Sequence, residues 1–150
     1  MSGIKVSVNF NSSKVIGKLK QLLNDEGTMI AAHNLLLQKM TPYVPFDTGT
    51  LSQDVDITKD YVRYKQPYAH YMYEGIVYGP SIPIIKDGVV VGFYSRPGVK
   101  KTPTGEYINY DKSHHPLATS HWDKAMMESE GDAFIKQLEK LFIARLKKLW

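Results

Sequence analysis

A chain of 150 residues, 43% hydrophobic and 23% charged, has room for one domain with its own core and carries too many apolar groups for wholesale disorder. It contains no cysteine, which excludes a disulfide framework, thiolate zinc sites, iron–sulfur clusters and a cysteine nucleophile together. No apolar run approaches the roughly 18–20 residues of a membrane span, the N-terminus MSGIKVSVNF lacks the apolar stretch of a secretory signal, and a net charge of +4 is only mildly basic. The expectation is a chain made in a cytosol, folded as a single domain over 1–150, with no membrane partner.

Ile4, Val6, Val8 and Phe10 alternate with polar residues, the period of a half-buried strand. Asn11, Ser12 and Ser13 then offer helix caps. From Val15 the period becomes helical: Val15, Ile16, Leu19, Leu22 and Leu23 form one face, which Ile30, Ala31, Leu35 and Met40 continue. The stretch 24–27 interrupts it, giving either one long bent helix or two. Pro42 ends it, because proline holds Thr41 in extended geometry.

A connector rich in turn residues covers 41–50. Two alternating runs, 51–58 and 61–66, flank Lys59 and Asp60 and predict a hairpin. Pro67 opens a short helix that Gly75 stops. The segment 76–112 reads as an irregular excursion from the fold. The stretch 76–118 holds five of the eight prolines and five of the eleven glycines. Within it, 82–85 and 89–94 flank Lys86, Asp87 and Gly88, a second hairpin. Ser120 and Asp123 are spaced as a capping box for a last helix of about 120–148. Its apolar face includes Trp122, Phe134, Leu138, Leu141 and Leu146; Lys136, Lys140, Arg145, Lys147 and Lys148 dominate the other side. The order predicts an α+β fold: a small antiparallel sheet, two long helices packed on one face, and a long loop containing a hairpin.

Several residues invite chemical readings. Asp47-Thr48-Gly49 is the signature of aspartic proteases, in which two aspartates share a proton. With one copy in the chain, a retroviral-type protease would need a homodimer pairing two Asp47 carboxylates. Pro42 and Pro45 precede it, however, and do not make the buried strand such an enzyme needs. The alternative is a structural turn formed by Pro45, Asp47, Thr48, Gly49 and Leu51, with Asp47 bonded to local backbone donors and Gly49 at positive φ. His114, His115 and His121 with Asp111 are zinc-type ligands that lack a zinc-motif spacing, so a polar surface loop is expected. Six tyrosines between Tyr61 and Tyr78 suit a protein interface, among them Tyr68 and Tyr71 beside Glu74. The hairpin carries Ile82, Ile84, Val89, Val91 and Phe93, too many apolar groups for a solvated loop. Arg96, Lys100 and Lys101 lie beside it. These residues form either an arm that docks on a neighbour or a hairpin folded back on its own sheet.

Taken in order, Pro45-x-Asp47-Thr48-Gly49-x-Leu51, Tyr68-Ala69-x-Tyr71-x-x-Glu74-Gly75 and His115-Pro116-Leu117, between a strand–helix start and a terminal amphipathic helix, resemble the head–tail joining proteins of tailed bacteriophages, also labelled minor capsid, neck or tail-completion proteins. The resemblance implies an α+β subunit of a homo-oligomeric ring between portal complex and tail, in the virion neck. It further implies neighbouring connector or stopper and tail proteins as partners, possible non-specific contact with DNA in the channel, no catalysis and no cofactor. The long 76–112 segment departs from the more compact members of that family.

Overall fold

The computed structural model describes residues 13–46, 49–80, 82–94, 97–98 and 100–149, the side chain of Phe93 excepted. The strand expected at 4–10 lies outside them. Helix α1 (Ser13–Leu23) and helix α2 (Glu26–Met40) are separate. The break is written at Asp25: its carboxylate accepts from the Thr28 N–H at 2.9 Å and from the Thr28 hydroxyl at 2.6 Å, capping α2. The two bonds hold the Asp25 carboxyl below the usual aspartate range. Thr41 is helical (φ −52, ψ −42) rather than extended as Pro42 suggested, so α2 runs on into a single 3-10 turn (Thr41–Tyr43), and the extended residue is Val44, before Pro45. The apolar face of α1 is narrower than its sequence suggests: Leu22 is buried, while Ile16 and Leu23 are exposed.

Gly49 sits at φ +83 and starts a one-turn helix, α3 (Thr50–Gln53). The strand expected from 51 therefore begins later, as β1 (Val55–Ile57), which pairs antiparallel with β2 (Val62–Tyr64). Asp56 stands opposite Arg63, and their side chains meet at 2.8 Å. Helix α4 (Ala69–Glu74) ends at Gly75, whose φ is +74. Strand β3 (Ile76–Gly79) follows, then β4 (Ile82–Lys86) and β5 (Val89–Tyr94), then β6 (Thr102–Tyr107). Helix α5 (Trp122–Lys147) closes the chain.

The fold class is α+β, and among the described residues the strands do not form one sheet with helices on a face. They form three two-stranded ribbons: β1–β2, β3–β6 and β4–β5. The core lies instead between helices. Ala32 and Met40 of α2 meet Trp122, Met126, Phe134 and Leu138 of α5, with Tyr43, Val44, Leu51 and Tyr73 filling the end. Met126 and Val44 have no exposed surface. Leu146 is buried further along α5, which also packs against α1.

The 76–112 segment is more regular than its proline and glycine content suggests. β3 and β6 pair antiparallel, with Ile76 opposite Tyr107 at one end and Gly79 opposite Thr102 at the other. The β4–β5 hairpin is inserted at the Gly79–Thr102 end. Its Asp87-Gly88 turn has φ +51 and +78, the left-handed pair that matches strand twist in a two-residue hairpin.

Candidate assembly interface

The root of the β3–β6 ribbon is fixed to the helical body at Gly75. A Cβ there would lie 2.8 Å from Ser120 Cβ and 3.0 Å from the Tyr110 hydroxyl. Position 75 therefore needs glycine twice, for its positive φ and for the close approach of two other segments. The Ile108 N–H donates to the Gly75 carbonyl at 2.8 Å, and the Tyr110 hydroxyl donates to the Met72 carbonyl. The chain leaving the body at 75 is thus bonded to the chain returning at 108.

Behind this root lies a contact that sequence reasoning missed. The Tyr73 hydroxyl donates to Asp123 Oδ1 at 2.8 Å, and both residues are buried. Asp123 does not cap α5 as the Ser120–Asp123 spacing suggested; the N-cap is His121, at φ +48, with no side-chain cap bond. The carboxylate is taken by a tyrosine from α4. Trp122 packs edge-on against Tyr73 at 5.0 Å and against Tyr64 at 5.4 Å between ring centroids. Burial, and then the bond to Asp123, push the Tyr73 hydroxyl pKa above the usual tyrosine value. Burial does the same to Tyr64. The Tyr73–Asp123 pair carries no local signal, because the two residues are 50 apart in sequence.

Tyr71 packs at a tilt against Tyr78, with ring centroids 4.6 Å apart, joining α4 to β3. Glu74 lies 3.7 Å from the His121 imidazole, and Tyr68 is exposed at the start of α4. These three residues therefore surround the root of the ribbon, while Ile82, Ile84, Val89 and Val91 lie in the hairpin at its other end. Ile85, Val89 and Val91 are 64%, 62% and 61% exposed, and Ile84, Val90 and Tyr94 are exposed too. None of the hairpin's described residues belongs to the core or to the half-buried apolar groups packed on it. Lys100 is exposed and Lys101 half-buried. Arg96 and the Phe93 side chain lie outside the described residues.

Of the turn residues, Pro45 and Leu51 are buried and Gly49 has the expected positive φ. Asp47 and Thr48 lie outside the described residues, so neither the expected Asp47 bonds nor a carboxylate pair is placed. Gly49 and Thr50, which follow them, open helix α3. His114 is exposed in a loop as expected, while His115 in the same loop is half-buried: its Nδ1–H donates to the Val44 carbonyl at 2.7 Å, and Phe46 packs on both His114 and His115. Among the described residues no group of three or more histidine, cysteine, aspartate or glutamate side chains could hold a metal ion, and no helix is long and apolar enough to cross a membrane.

A shallow cleft of about 110 Å³ lies beside the root, walled by Phe46, Leu51, Tyr68, Met72, Ile108 and Asp111. The Asp111 carboxyl is held below the usual aspartate range by bonds from Ser113, so the cleft has an apolar floor and an ionised rim. A second, wider cleft of about 540 Å³ lies between α1 and the end of α5, edged by Asp25, Arg145 and Lys148.

Neither a search of curated proteins nor a search of solved structures finds a match to this chain. A protein-family model described as "Minor capsid protein" matches residues 4–142, a span that takes in the helical body, the ribbon root and the exposed hairpin. A structural, virion-associated role follows from that match, and the chain belongs to the minor capsid protein family.

Proposed function

We propose that this chain is a ring-forming head–tail connector subunit of a tailed phage, placed in the virion neck between the portal complex and the tail. The observation that carries the reading is the pairing of a helix-packed body with an exposed apolar hairpin clamped to it at Gly75. A ring is a heterologous interface that closes by rotation, and each subunit needs a rigid frame and a projection that reaches its neighbour. The role is architectural, with no catalysis and no cofactor. Partners are further copies of the chain and the connector, stopper or tail proteins above and below. The basic end of the body, where Lys18, Arg145, Lys147 and Lys148 gather around the end of α5, would face DNA in the channel, attracting phosphates without reading sequence. The protein is made in the host cytoplasm and carried in the particle.

Electron cryomicroscopy of virions with the chain tagged at its N-terminus tests this. Density for the tag in a ring at the head–tail junction is expected. Tag density on the capsid shell, with none at the junction, overturns the neck placement while leaving the minor capsid family untouched.

A further inference from the structure

We infer that the exposed hairpin of one copy docks in the root cleft of the next copy, so that the chain associates head to tail with itself. The inference deepens the connector reading and rests on it for ring closure, though not for the contact itself.

The hairpin presents branched aliphatic side chains to water: Ile84, Ile85, Val89, Val90 and Val91. A two-stranded ribbon with both faces wetted is marginal by itself, and exposed apolar groups of this density mark a docking surface. The β5 edge has no proline and no charge between Val89 and Tyr94, the devices that block edge pairing, whereas β4 carries Pro83 and Lys86. The root cleft has the complementary character. Its volume of about 110 Å³ suits one branched aliphatic side chain, and its floor is apolar. Charge agrees as well. Lys86, Lys100 and Lys101 accompany the hairpin, while Asp111 at the cleft and Glu74 beside the root carry the opposite sign.

Topology makes the occupant a second copy. The cleft lies at the Ile76–Tyr107 end of the β3–β6 ribbon and the hairpin is attached at the Gly79–Thr102 end. The hairpin does not fill its own cleft: no residue of β4 or β5 is among the cleft's walls. A knob and a hole held apart at opposite ends of one ribbon are free to meet between chains. The contact then repeats, because each copy that gives a hairpin still has an empty cleft.

The absence of cysteine makes the test clean. Full-length chains carrying Val91→Cys at the hairpin and Asn109→Cys at the cleft are prepared separately, mixed, oxidised and run on non-reducing gels. The mixed disulfide is expected in roughly tenfold excess over either like pair, equivalent to about 1.4 kcal/mol of preference. It should fall to the like-pair level when Val89→Ser and Ile85→Ser are added to the Val91→Cys chain. Dominant Val91→Cys self-pairs would mean that β5 edges join symmetrically, which overturns the proposal. Monomers throughout, or the mixed species no more abundant than like pairs, overturn it too. A neck ring in virions without the mixed disulfide sinks this inference and spares the connector reading; the mixed disulfide with no neck ring does the reverse.

Discussion

The helical body and the ribbon arm are built from similar residue types and put them to opposite uses. In the body, Trp122 and Met126 are 2% and 0% exposed, and the buried Asp123 carboxylate accepts from the Tyr73 hydroxyl. In the arm, Val89, Val91 and Ile85 face water and Tyr107 is 84% exposed. Burial within the chain therefore stabilises the body, whereas the apolar surface of the arm is left exposed. The contrast shows that hydrophobic content does not identify a core; what matters is whether the topology brings a second apolar face against the first.

The largest test of this contrast is in the body. Trp122→Ala is expected to cost about 3–5 kcal/mol and Leu138→Ala about 2–5 kcal/mol in denaturant unfolding, by lost transfer and residual cavity. A cost below about 0.5 kcal/mol for Leu138 would mean that the α2–α5 packing is not the source of stability. Next comes the junction between the regions. Gly75→Ala forces a Cβ into left-handed backbone and against Ser120, and should cost about 1–3 kcal/mol, with resonance shifts spreading from α4 to Ile108. Absence of any thermal shift would show that the arm root is loose.

Tyr73→Phe leaves the buried Asp123 carboxylate without its hydroxyl donor, for an expected loss of about 1–3 kcal/mol at neutral pH. The sign of the accompanying pH effect follows from the raised tyrosine pKa values. The folded state holds the protons of Tyr64 and Tyr73 more tightly than the unfolded state, so their contribution is complete below the ordinary tyrosine value of 10.0 and is lost as pH rises beyond it. Melting midpoints should drop above that value, and less steeply in Tyr73→Phe; equal slopes would remove Tyr73 from the account. The smallest expected effect on folding is in the arm. Val89→Ser with Val91→Ser should change subunit stability by less than about 0.5 kcal/mol while reducing self-association in sedimentation velocity. A large loss of stability there would merge the two regions into one cooperative unit.

Local punctuation made part of this architecture legible. Pro67 and Gly75 bracket α4, Asp87-Gly88 specifies a two-residue hairpin, and the periodicity through Leu146 marks α5. The elements lost to sequence reading depend on distant partners. β6 reads as loop because Pro103 and Gly105 interrupt a polar run, and it becomes a strand only by pairing with β3, more than twenty residues earlier. Ser120 and Asp123 have the local spacing of a cap, but Tyr73 supplies a buried donor and takes the carboxylate. The described strands pair as three ribbons rather than one sheet for the same reason: alternation announces strands without naming their neighbours. The hairpin's apolar composition was legible in the sequence, whereas the cleft was not, since its walls come from three separate stretches of chain.

The convergence of both arm strands on one corner also has a mechanical meaning. Tension applied at the hairpin tip divides between β3 and β6 and reaches Gly75 and Ile108, which are bonded to each other. From there the load passes into α4 and towards the start of α5, two elements tied by the His121 N–H to the Tyr73 carbonyl at 2.9 Å and by Tyr73 to Asp123. The tether is therefore anchored beside Trp122, among the least exposed side chains of the body, rather than at a fraying helix end. A strain on the arm is felt first where the subunit is most tightly packed.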